Sequence, residues 1–215
     1  MLFRSKTVLG LSERLVKNRL NVGWRVCSRI DSLSDEKLVA AKEAGCWDLI
    51  LGLESGSDRI LAYMNKRITV DMMMRGIDKV LHSGLSFTAN FMFGLPEETM
   101  EDMRATLDLI KRIPAGNIAV YRFIPLPGTK FYNDVAAMGM FGKDGPGYEY
   151  LDLYSDHYHY SRHVSREEIN AFAREIYSVV EEKNRLTRSR PPRPLADDDF
   201  PFLKKTTDVR EDAAG

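Results

Sequence analysis

Two cysteines, Cys27 and Cys46, are all the thiols this 215-residue chain has. A pair that far apart builds no disulfide framework and fits a reducing compartment. Net charge is equally scarce, since 31 Lys and Arg stand against 31 Asp and Glu. Nothing global therefore draws the chain to a polyanion, and direct nucleic-acid binding is not expected. Long apolar runs are missing as well. No stretch reaches the ~18 apolar residues of a membrane span, and charges interrupt the N-terminal segment before a signal-peptide core can form. These absences predict a soluble cytoplasmic protein with no membrane partner, large enough to bury ~70% of its unfolded surface in one main core.

What is present is a repeat of strand, glycine turn and helix. Trp24–Ser28, Trp47–Leu53, Phe87–Phe93 and Ile118–Ile124 have strand character. The second and third are apolar nearly throughout, as for parallel strands covered on both faces. Between them run helical patterns. Val8, Leu11 and Leu15 share one face of a helix over Ser5–Leu20, and Ser34 is placed as an N-cap of a helix closed by Gly45. A short helical run covers Ser57–Met64. Thr69 caps a helix with Met73, Ile77, Val80 and Leu81 on its apolar face, and Thr99 caps one with Met103, Leu107 and Ile110. Pro125-Leu126-Pro127-Gly128-Thr129 must leave regular structure, because proline donates no ladder hydrogen bond.

The fold class predicted is α/β: a partial parallel (βα) TIM-like barrel over residues 1–140, truncated at its N-terminal side, with a C-terminal helix. A closed barrel typically needs ~250 residues and eight units. Residues 141–164, rich in tyrosine and histidine, read as a loop. Ser165 and Glu168 form a capping box opening a helix over 165–187 that buries Ile169, Phe172, Ile176 and Val180. The polar tail 188–215 reads as disordered.

Polar groups just past the ends of parallel strands are where such folds place their chemistry. Glu54 and Glu97 stand there, and either can instead cap the helix that follows. Met92 reads equally as core filler, Lys66 as a solvated charge, and Cys27 and Cys46 as small buried hydrophobes. His157, His159 and His163 near Asp156 match no strong metal signature.

Taken together, Trp24 to Asp31, Gly45-Cys46, Leu51-Gly52-Leu53-Glu54-Ser55-Gly56-Ser57, Met64-Asn65-Lys66, Phe91 to Thr99 and Pro125 to Thr129 resemble the radical S-adenosylmethionine (radical SAM) superfamily, particularly the branch often preceded by a cobalamin-binding domain. The resemblance implies an enzyme that cleaves S-adenosylmethionine with a 4Fe-4S cluster, and the resulting adenosyl radical abstracts a substrate hydrogen. It implies that Glu54 meets the ribose or amino-acid part of the cofactor and Lys66 its carboxylate. Asn90 then lies by the ribose and adenine, Met92 against adenine, Gly94 and Glu97 complete the motif, and Ile124 and Leu126 edge the base. A zwitterion needs a carboxylate, a cation and an apolar wall of this kind.

The departure is in the cysteines. The family holds its cluster on CxxxCxxC, and no such run exists here. The expectation is the C-terminal part of a radical enzyme, a truncated frame or one piece of a split protein whose partner is a missing N-terminal half and whose substrate is unassigned. The alternatives are a non-catalytic barrel remnant used for binding or assembly, and an unrelated barrel enzyme using Glu54 and Glu97 as an acid-base pair.

Overall fold

A computed structural model describes residues 5–114, 116–141 and 158–189. The four expected strands form one parallel sheet in sequence order: β1 Trp24–Ser28, β2 Cys46–Glu54, β3 Ser86–Phe93 and β4 Asn117–Arg122. Around them lie α1 Ser5–Lys17, α2 Asp35–Glu43, α3 Asp58–Tyr63, α4 Val70–Ser83, α5 Met100–Arg112, α6 Lys130–Ala137 and α7 Arg166–Ser189. Parallel strands joined in order through helices make this part of a (βα) barrel.

The helices begin where the sequence supplies caps. The hydroxyls of Ser57, Thr69, Thr99 and Thr129 each accept a backbone N–H from the first turn of α3, α4, α5 and α6. Ser165 and Glu168 make the expected capping box of α7. Ser34 holds the N-cap position of α2, but its hydroxyl makes no capping bond. Besides shifts of one residue, three element bounds and one whole element differ from expectation. α1 ends at Lys17, before Leu20, because Arg19 turns left-handed at φ 53°. β4 stops at Arg122 rather than Ile124, since the last ladder bond is Phe123 N–H to Phe93 C=O and Pro125 lies just beyond. α6 follows the proline turn unforeseen. α7 continues past residue 187 to Ser189. The remainder of the tail, and His157 with Tyr148, Tyr150 and Tyr154, lie outside the described residues.

Among the described residues, the main core covers one face of the sheet. Val26, Leu49, Leu51, Leu53, Phe87, Ala89, Phe91, Phe93, Ile118 and Val120 are buried in a single core with Leu38 of α2, Met73 and Ile77 of α4, Leu107 and Ile110 of α5 and Phe172 of α7. The intervening residues Arg25, Cys27, Ile50, Gly52, Thr88, Asn90, Met92, Ala119 and Tyr121 point the other way and are half-buried or exposed. Apolar runs mislead here because Ile50, Met92 and Ala119 sit on the open face. Cys27 is corrected with them: it is exposed, not a small core residue, whereas Cys46 is buried on the covered face.

Close approaches fix the turns at the strand ends. A Cβ at Gly56 would lie 2.4 Å from Ala105 C=O, so the turn after β2 presses on α5 where no side chain fits. Gly76 of α4 likewise leaves a notch for Ile30, whose Cγ1 would be 2.3 Å from an added Cβ.

Candidate functional site

The C-terminal ends of β2 and β3 adjoin. Gly52 pairs with Asn90, and the ladder then slips, so that Glu54 pairs with Phe91 and Leu53 is bulged out. Glu54 takes φ 71°, a left-handed conformation that costs a non-glycine residue of order 1–2 kcal/mol. The turn aims its carboxylate back over the strand. Glu54 Oε1 accepts from Lys66 Nζ at 2.6 Å and lies 2.6 Å from where a Cβ on Gly52 would be. The absent side chain of Gly52 is the seat of the ion pair.

Lys66 reaches this seat through the end of α3. Lys66 N–H bonds to Leu61 C=O and Asn65 N–H to Ala62 C=O, with Asn65 left-handed at φ 54°. That is a Schellman closure, in which asparagine serves as the left-handed residue. Glu54 and Lys66 are mostly shielded, at 14% and 27% side-chain exposure, so the pair is screened less than a surface one.

The sequence-predicted residues divide into those that meet and those that do not. Glu54, Lys66 and Asn90 surround Gly52 on the open face. Met92 is on that face two residues further along β3, half-buried against a second apolar cluster of Ile60, Leu95, Phe123, Val135 and Tyr160. Gly94, at φ 87°, opens the turn after β3. Ile124 is half-buried just past the ladder, while Leu126 is 54% exposed in a turn closed by Thr129 N–H to Leu126 C=O.

Neither Glu54 nor Glu97 caps a helix. Ser57 caps α3, and Thr99 with Asp102 forms a capping box on α5. Glu97 instead accepts from Arg162 Nη1 at 2.9 Å and pairs with His163 Nε2 at 3.3 Å. Its pKa is held low, first by the His163 hydrogen bond and then by Arg162, despite slight burial. His163 is thereby committed to a carboxylate, and among the described residues no group of three metal-binding side chains forms.

The carboxylate that sequence reasoning missed is Glu98. It is fully buried; Oε2 accepts Gly94 N–H at 2.6 Å and Leu95 N–H at 3.1 Å, and Oε1 has no partner among the described residues. Burial pushes its pKa up to about 8, against the pull of the two amides. Asp102 has the opposite fate. Burial raises its pKa, but bonds from Arg59, Ser57 and Thr99 outweigh that and hold it well below the usual carboxylate range. Arg59 also donates to Glu97 C=O at 2.7 Å, so this hub ties the turns after β2 and β3 together.

A parallel sheet whose second and third strands end in these turns is matched by the Radical SAM superfamily over residues 6–110. That match spans 105 of the 215 residues. An uncharacterized methyltransferase of Pyrococcus horikoshii is 29% identical over 127 residues, 59% of this chain and 28% of the relative. A tRNA-2-methylthio-N(6)-dimethylallyladenosine synthase of Paracoccus denitrificans is 38% identical over 86 residues, 39% of this chain and 19% of that enzyme. Among solved structures, the radical S-adenosylmethionine methyltransferase TsrM from Kitasatospora setae, with cobalamin and a [4Fe-4S] cluster bound, superposes with TM-score 0.54 at 17% identity. It covers 66% of this chain and 29% of TsrM. Coproporphyrinogen III oxidase (HemN) of Escherichia coli, a radical SAM enzyme, gives 0.56 at 15% identity, covering 80% and 36%. These likenesses carry the fold. The chain spans 19% to 28% of the length of these curated relatives.

The two groups that radical SAM relatives bind fare differently against these residues. The cluster does not fit: the only two thiols of the sequence lie on opposite faces of the sheet, and burial pushes the Cys46 thiol up to about 12, far from a thiolate ligand. For the amino-acid end of S-adenosylmethionine the chemistry is present: a cation and a carboxylate, Lys66 and Glu54, meet over Gly52.

Proposed function

We propose that this chain supplies the cofactor-holding portion of a radical SAM enzyme and that the cluster-binding cysteines are provided by another polypeptide segment. The observation that carries the reading is the Glu54–Lys66 pair seated over Gly52 and held there by a left-handed Glu54. Local strain at a strand end, kept by the surrounding structure, belongs with binding rather than folding.

A zwitterionic amino acid entering between Glu54 and Lys66 replaces one ion pair by two and leaves the site neutral. Lys66 takes the cofactor's carboxylate and Glu54 its ammonium group. Asn90, beside Gly52 in the ladder, offers an amide to the ribose, and Met92 an apolar wall to adenine, with Ile124 at its rim and Gly94 opening the turn. Leu126 contributes least, being exposed in its own turn. When bound, S-adenosylmethionine is the source of the adenosyl group on which the family's chemistry depends. The substrate belongs to the remainder of the enzyme.

Calorimetric titration with S-adenosylmethionine tests the reading. The chain is expected to bind, and Glu54→Ala to weaken binding by at least tenfold, the loss of one charge-assisted hydrogen bond being about 1.5–3 kcal/mol. After anaerobic iron and sulfide treatment the chain alone is expected to show no cofactor cleavage above a cluster-free control. The placement of Cys27 and Cys46 favours a second reading, a non-catalytic barrel piece used for binding or assembly. Absence of binding by both proteins would select it.

A further inference from the structure

Lys66 lies between two left-handed residues, Asn65 at φ 54° and Arg67 at 56°, and its own N–H closes the end of α3. Its carbonyl is held from outside. Arg29, the first residue after β1, donates from Nη2 to Lys66 C=O at 2.8 Å. Its guanidinium is itself fixed, with Nε 2.9 Å from Asp31 Oδ1 and Nη2 2.8 Å from Asp31 Oδ2, a two-toothed pairing that leaves the plane little freedom. The 3₁₀ turn Ile30–Ser32 bearing Asp31 is anchored in turn, because the buried Ile30 fills the notch at Gly76 of α4. A continuous line of contacts therefore runs from α4 through Ile30, Asp31 and Arg29 to the backbone of Lys66, and from the Lys66 ammonium to Glu54 over Gly52.

We propose that Arg29 is a positioning residue for the amino-acid end of the cofactor: it fixes the 65–67 turn so that the Lys66 ammonium is set to receive an α-carboxylate. The inference rests on the cofactor reading above. Arg29 lies about half exposed, and its bond is to the Lys66 backbone rather than to the ion pair. Its effect is thus one of placement, exerted through the 65–67 turn, and lysine cannot replace it because one ammonium does not hold both Asp31 oxygens and a carbonyl in a fixed plane.

The test compares two ligands that share the nucleoside and differ in the amino-acid end, S-adenosylmethionine and 5′-methylthioadenosine, titrated into the full chain and into Arg29→Ala and Arg29→Lys. Thermal melting of each protein verifies that it is folded. Both variants are expected to bind S-adenosylmethionine about tenfold more weakly, the scale of one charge-assisted hydrogen bond, with affinity for 5′-methylthioadenosine unchanged. Asp31→Asn, which keeps Arg29 but weakens its anchor, is expected to give a smaller loss of the same selectivity. Equal weakening toward both ligands would mark Arg29 as a general structural residue and overturn the proposal. Unaltered binding in the variants would overturn it while the cofactor reading stands. Failure of the unaltered chain to bind either ligand would overturn the cofactor reading and this proposal with it.

Discussion

Burial of Glu98 with one oxygen on the Gly94 and Leu95 amides and the other without a partner among the described residues favours the neutral acid, whose Oε2 still accepts both bonds. The folded chain holds this proton up to about pH 8, whereas an unfolded glutamate releases it near pH ~4.3. Protonation therefore favours folding, and the stability this group contributes is full at low pH and is lost as pH rises through that window. Glu98→Gln keeps an oxygen for the amides and cannot ionise. Its melting temperature minus that of the unaltered protein is expected to grow steadily from pH 5 to pH 8, and a constant gap would show that Glu98 ionises freely. Glu98 was not legible in the sequence, where Glu97 and Glu98 are adjacent and equally apt as caps. Which of them turns inward is decided by Gly94 at φ 87° and by Arg162 and His163, distant in sequence, drawing Glu97 outward. Glu54 and Lys66 were legible as candidates because Glu54 stands just past a strand end and both fall in motifs that resemble the family's, although Lys66 alone reads as a solvated charge. Their meeting was not, since it depends on a strand bulge.

Strands and helices in this chain were readable wherever periodicity or a cap decided them, and α4, α5 and the start of α7 are where expected for that reason. α6 escaped because its single fully buried residue, Val135, gives no apolar stripe, although Thr129 is its cap. The β4 edge is covered in a way no local pattern announces. At the β4 edge, Asn184 of α7 accepts Ile118 N–H through Oδ1 and donates to Ile118 C=O through Nδ2, both at 2.8 Å. A side-chain amide so placed occupies the backbone groups that a further strand would use, a form of edge protection. Asn184→Ala is expected to lower stability by about 1–3 kcal/mol through two backbone groups left without their partner, and to raise light scattering at high protein concentration. Unfolding by urea and static scattering read the two effects separately, and an unchanged midpoint would show that water replaces the amide at no cost.

Among the described residues most helices share one core with one face of the sheet, Ile60 of α3 and Val135 of α6 join a second cluster, and the other face carries Arg25, Cys27, Gly52, Asn90 and Met92. The open face was invisible in the apolar content of the strands, because a barrel interior and a helix-covered exterior demand similar residues of a parallel strand. Thiol labelling reads this sidedness directly. Cys27 is expected to react promptly with a small maleimide, while Cys46, buried with its thiol pushed up to about 12, reacts only on unfolding. Equal rates for the two would mean that the covered face opens in the native state. The open face also sets apart what folding and binding ask of one position. Alanine at Gly52 would suit a strand better than glycine, and the nearest atom it meets is the end of the flexible Glu54 side chain, which can swing aside. The sheet would keep its ladder and lose the place where opposite charges meet. Selection on folding alone would let that exchange drift into the chain, and only selection on what the chain holds would keep removing it.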